Sequence, residues 1–155
     1  MNLPIGSALP LEVKAALQKA GIRSPCIVAV VRDGCGACDD ALPLLEDALP
    51  LALGDEVPAL FLAQEDAEET EKLRERLSPS LTYAPDPEPY PLSVVLGPEF
   101  TPTLYRVEGE TVVDVVEGFD PEGFQRLLKD LCVALGKEPF ELYAPGEPRP
   151  RFRPG

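Results

Sequence analysis

Between Leu11 and Ala20 the apolar positions Val13, Ala16, Leu17 and Ala20 recur at i, i+3, i+4 and i+7, which predicts a short amphipathic helix entered through Pro10 and closed by Gly21. The pattern then changes. Cys26 to Val31 is an unbroken apolar run rich in β-branched residues, as expected of a strand covered on both faces. It stops at Arg32-Asp33-Gly34, a turn signal, and from Gly36 to Leu49 the apolar positions Cys38, Ala41, Leu42, Leu45, Ala48 and Leu49 again share one helical face. Val57 to Ala63 reads as a second buried strand. Asp66 to Leu77 reads as a charged, peripheral helix whose large apolar residues are Leu73 and Leu77.

Ser78 to Pro91 carries five prolines in 14 residues and is expected to be a loop, because each proline removes a backbone donor; strand character could return over Leu92 to Leu96. Thr103 to Val107 and Thr111 to Val116, joined across Glu108-Gly109-Glu110, form a hairpin pattern. Asp120 offers an N-cap, Pro121 a first helical position, and Phe124, Leu127, Leu128, Leu131, Cys132 and Leu135 one apolar stripe ending before Gly136. The order of elements predicts two parallel strands with crossover helices followed by an antiparallel pair, an α/β sandwich around a mixed sheet. Residues 1–136 are expected to make one domain, and 137–155, with five prolines and three arginines, an extended tail.

Charge narrows the function. Against 14 Lys and Arg stand 27 Asp and Glu, a net charge of −13 that repels nucleic acid and acidic membrane surfaces. No run approaches the roughly 18 apolar residues of a membrane span, and the N-terminal stretch lacks the basic start and apolar centre of a signal peptide, so a cytoplasmic location is expected. The chain has no histidine, which removes Cys-His and Ser-His nucleophile systems and imidazole-based metal sites. Arginine in excess of lysine, with 19 prolines, suits a heat-adapted protein.

Four cysteines are too few for a secreted disulfide scaffold, and their spacing carries the information. Cys35-Gly36-Ala37-Cys38 lies where a buried strand turns into a helix. Two cysteines three residues apart on a first helical turn can bring their sulfurs within bonding distance, so one disulfide can open and close with little backbone motion. Cys35 would sit at the helix N-terminus, where free N–H groups and the dipole favour a thiolate, and its pKa is expected to fall below the ~8.5 of an ordinary thiol. Cys38, inside the helix, suits a resolving thiol. Cys26 and Cys132 read as small core residues, with a structural disulfide between them as the alternative.

These features resemble the thioredoxin-like superfamily. The resemblance rests on the apolar strand ending in a CxxC at a helix start, on Pro43 five residues after Cys38, on Thr101-Pro102-Thr103 directly before the hairpin, and on Gly118 between the last strand and the final helix. It covers about residues 11 to 135, with an insertion at about 64–98. It implies a three-layer sandwich with a central mixed sheet flanked by helices, a cis Thr101-Pro102 bond, and pairing of the Thr101 backbone with an extended substrate segment while Cys35 attacks its disulfide and Cys38 resolves. On this likeness the substrate surface comprises Gly34, Gly36, Ala37, Thr101 and Pro102, the partners are protein disulfides and an upstream dithiol reductant, and the chain acts as a monomer with neither cofactor nor metal, nucleic acid nor membrane.

The chain also departs from the family pattern. Gly34 stands where thioredoxins have tryptophan and Ala29 where their buried acid sits, so deprotonation of Cys38 would depend on water or Asp33. Ala37 replaces the motif proline, and Asp39 and Asp40 are expected to blunt the fall in the Cys35 pKa. Half a zinc site, an iron–sulfur cluster bridging two chains and a thioredoxin-like interaction module without redox turnover are the competing readings of the CxxC. Arg149, Arg151 and Arg153 are expected to keep the tail soluble and to bind nothing.

Overall fold

The structure is a computed structural model that describes residues 2–155. Five strands form one sheet: β1 (Cys26–Val31), β2 (Ala59–Ala63), β3 (Thr82–Pro85), β4 (Thr103–Glu108) and β5 (Thr111–Glu117), in the order β3-β2-β1-β4-β5. β1, β2 and β3 run parallel, and β4 and β5 antiparallel. Three helices, α2 (Gly36–Leu53), α3 (Ala67–Leu77) and α5 (Pro121–Ala134), pack on one face, while α1 (Leu11–Ala20) and α4 (Pro91–Leu96) cover the other.

The alternation of side chains along a strand divides the core. Ile27, Ala29 and Val31 of β1 point toward α2 and α5, into a cluster with Leu42, Phe61, Phe124 and Leu131. Cys26, Val28 and Val30 point the opposite way, toward Val13, Leu60, Leu96 and Tyr105. All six residues of β1 are fully buried, which accounts for the absence of polar positions in that run. Helix α5 starts as its sequence requires, with the Asp120 carboxylate accepting from Gly123 N–H at 2.9 Å.

The Ser78–Pro91 region corrects the sequence reading. It contains β3, a third parallel strand that pairs with β2 from Leu60↔Thr82 to Ala63↔Pro85. β3 is an edge strand, so proline at its end breaks no ladder. Leu92–Leu96 is helical, within α4, with Pro91 at its first turn. The buried carboxylate of Asp86 holds that turn by accepting from Leu92 N–H (3.0 Å), Ser93 N–H (2.8 Å) and Ser93 Oγ (2.6 Å). α2 also runs one turn past Leu49, through Pro43 and Pro50, to Leu53.

Candidate active site

The C-terminal end of β1 leads through Arg32, Asp33 and Gly34 into α2. Gly34 takes φ +73°, the left-handed turn conformation that favours glycine, and delivers Cys35 to the N-cap position. There Cys35 has extended backbone (φ −104°, ψ 115°), and its Sγ accepts from Cys38 N–H at 3.2 Å, the capping role that a serine or aspartate oxygen usually fills. Thr101 stands against the same sulfur. Its carbonyl accepts from the Cys35 thiol at 3.1 Å and its Oγ1 donates to Sγ at 3.4 Å. The Thr101–Pro102 peptide is cis, and Pro102 O accepts from Gly118 N–H at 2.7 Å.

The two thiols are chemically unequal. Burial alone pushes Cys35 up, but hydrogen bonds from the Cys38 side chain, the Thr101 hydroxyl and the Cys38 backbone, together with the charge of Arg32, outweigh it and hold Cys35 below its ordinary 9.0. Cys38 goes the other way, raised strongly by burial and by its hydrogen bond to Cys35. Among the described residues all four cysteines are free. Cys26 and Cys132 are both buried, in clusters on opposite faces of the sheet, so the alternative disulfide between them is excluded.

The acidic residues around the sulfurs are paired. Arg76, at the end of α3, lies 2.8 Å from Asp33 and 3.6 Å from Asp39, and Arg153 lies 2.8 Å from Asp40. The repulsion expected of Asp39 and Asp40 is thereby opposed by two guanidinium groups. Asp33 is engaged by Arg76 and its backbone N–H donates to Glu65 Oε1 at 3.0 Å. Of the remaining residues expected at the site, Gly34 is exposed and Gly36 half-buried, Pro102 is buried beside Thr101, and Ala37 faces the core at 2 % exposure.

Two of the three tail arginines, expected only to keep the tail soluble, are engaged within the chain. Arg149 pairs with Glu122 at 3.0 Å and lies over the Tyr143 ring, 5.5 Å from its centroid. Arg153 pairs with Phe119 as an antiparallel bridge, each N–H donating to the other's carbonyl (2.7 and 2.8 Å). Neither contact has a periodic sequence signature. The legible hint was charge balance: two aspartates beside a thiolate call for cations, and Arg76 and the tail arginines were among the few on offer.

Sheet order, the CxxC at the start of α2 and the opposing Thr101–Pro102 together define a thioredoxin-like α/β fold. No protein-family model matches the chain, and no curated protein matches it. Among solved structures it is similar to a protein of Chlorobium tepidum described as a candidate thiol:disulfide interchange protein DsbE, with a TM-score of 0.65 and 17% identity over 87% of this chain and 100% of that one. It is also similar to a thio-disulfide isomerase of Thermus thermophilus, with a TM-score of 0.58 and 18% identity over 88% of this chain and 99% of that one. An uncharacterized conserved protein of Geobacillus kaustophilus gives 0.55 and 16% identity, over 88% and 84%. Among the described residues no helix is long and apolar enough to cross a membrane.

Proposed function

We propose that the chain is a thiol–disulfide oxidoreductase acting on protein disulfides, with Cys35 as nucleophile and Cys38 as resolving thiol. The observation that carries this reading is the asymmetry of the pair: one sulfur lowered in pKa at a helix N-terminus, the other raised and buried one turn behind it. In the forward direction the Cys35 thiolate attacks one sulfur of the substrate disulfide, the S–S bond breaks, and the departing sulfur takes up a proton from water. Cys38 then loses its proton to the second departing substrate sulfur and bonds to Cys35. Two electrons pass to the substrate, and a dithiol reductant returns the pair to its starting state. The Thr101 backbone and the exposed Gly34 edge are the surface against which an extended substrate segment would lie.

Insulin reduction with dithiothreitol as the electron source tests the reading. The full chain should accelerate precipitation of the insulin B chain above the dithiothreitol background, Cys35→Ser should abolish the gain, and Cys38→Ser should trap a mixed disulfide visible by mass. One observation favours the second reading, an interaction module without turnover: Cys35 is only 3 % exposed. A wild-type chain that never exceeds the background would decide for the module.

A further inference from the structure

The low exposure of Cys35 coincides with the position of the chain's last residues. Thr101, which holds the sulfur, and Gly36, which follows Cys35, each have a residue of the 150–155 segment against them. A Cβ built on Gly155 would run into the backbone of Thr101, and one on Gly36 would run into the Arg153 guanidinium, 2.8 Å from its Cζ. Between these points, Arg153 Nη1 donates to Asp40 Oδ2 (2.8 Å) and, at 3.4 Å, to Gly36 O. The segment also adds one antiparallel bridge to Phe119 and passes so close to Gly118 that a Cβ there would stand 2.7 Å from Arg153 O.

The mode of attachment is that of an extended peptide laid on a binding surface: backbone pairing at Phe119, a cation on a carboxylate at Asp40, and a glycine where space beside Thr101 is smallest. It is also held lightly. Residues 151–155 are all exposed, Phe152 at 58 %, and the ion pair sits half in water, with side chains 54 % and 47 % exposed. The preceding stretch is held more firmly, since Tyr143 N–H donates to Gln125 Oε1 at 2.9 Å and Tyr143 is buried. Residues 151–155 are thus held by fewer and more exposed contacts than the stretch around Tyr143.

We propose that the 150–155 segment is a resident occupant of the peptide-binding surface beside Cys35, so that an incoming disulfide-bearing segment must displace Arg153 from Asp40 and the backbone bridge from Phe119 before its sulfur reaches Cys35. This rests on the oxidoreductase reading for its purpose, but the covering of the thiol is testable without turnover. An extended, cationic segment of a protein substrate is the partner best fitted to compete, because it meets the same carboxylate and the same backbone groups.

The test is alkylation of Cys35 by iodoacetamide in the reduced full chain, measured at a pH where the thiolate plateau has been reached and assigned to Cys35 by peptide mass. Arg153→Asp, which sets two carboxylates against each other, should raise the plateau rate at least tenfold. Asp40→Arg combined with Arg153→Asp should restore it. Because nucleophilicity depends weakly on thiol pKa, with a Brønsted coefficient of about 0.4–0.5, a pKa change of a unit alters the plateau by no more than about threefold, so a tenfold rise reports access. Gly36→Ala, which evicts the guanidinium without changing charge, should also accelerate alkylation. Equal rates in wild type and all variants overturn the proposal, even if insulin is reduced normally. Faster alkylation with rescue supports it, and if insulin reduction is then absent from every variant, the oxidoreductase reading alone falls.

Discussion

Thr101→Val removes one hydroxyl from the sulfur of Cys35 and leaves the backbone carbonyl in place. At 3.4 Å the O–H···S bond is long, but its acceptor becomes charged when the thiol ionises, and Thr101 is 8 % exposed, so water cannot readily replace it. Hydrogen bonds to charged groups contribute roughly 1.5–3 kcal/mol, and the long sulfur contact belongs at or just below the lower end. At 1.36 kcal/mol per pKa unit, loss of about 1–1.5 kcal/mol raises the Cys35 midpoint by about one unit. The Cys38 donors and Arg32 remain and continue to favour the thiolate. The assay is the pH profile of iodoacetamide alkylation: the midpoint moves to higher pH while the plateau rate stays within a few-fold. Stability gives an independent check. A thiol whose folded pKa lies below its unfolded value adds stability above the unfolded value, near 9.0, and loses it as pH falls through the folded midpoint. The difference between wild type and Thr101→Val in urea unfolding should therefore be largest in alkali and vanish in acid, apart from any packing change common to both. A midpoint unmoved by the substitution would show that the hydroxyl does not stabilise the thiolate.

Arg76→Ala leaves Asp33 and Asp39 without their shared guanidinium, and the Cys35 midpoint should rise by a few tenths of a unit at low salt and by less at 1 M salt, where screening acts within about 3 Å. Asp86→Ala strands two backbone N–H groups at the start of α4 and should cost about 2–3 kcal/mol, read as a lower urea midpoint with unchanged slope. Burial pushes Cys26 up to about 12 from 9.0, so its stabilising contribution is complete below pH 9 and is lost as pH rises toward 12; Cys26→Ala should flatten that alkaline loss of stability in a circular dichroism titration.

Much of the fold could be read from the chain because its strands and long helices carry strong periodicity. β1 is apolar at every position because it is buried on both faces, and α5 is announced by the Asp120-Pro121 cap together with the apolar stripe that follows it. β3 and α4 escaped for the opposite reason. Thr82–Pro85 is a short edge strand with no fully buried residue, and α4 is six residues long, fixed by a carboxylate on Asp86 outside the helix. The two thiols were legible because their spacing is local. Arg76 and Arg153 were not, since each reaches its aspartate from a different element, across 43 and 113 residues in the case of Asp33 and Asp40. Long-range ion pairs between exposed side chains leave no pattern in one sequence.

The sheet that parts Cys26 from Cys132 has a consequence for oxidative chemistry. With those two thiols walled off on opposite faces, neither can intercept the other, and the same wall parts Cys26 from Cys35 and from Cys38, which donates its N–H to the Cys35 sulfur one helical turn away. Oxidation of the folded chain therefore leaves Cys26 out of any intramolecular disulfide, while Cys35 and Cys38 stand as neighbours on one helical turn. A titration against a glutathione buffer should follow one two-electron curve, with a tenfold change in equilibrium constant for about every 30 mV. Heat or denaturant, by dissolving the partition, would be the step that exposes the chain to mispaired forms.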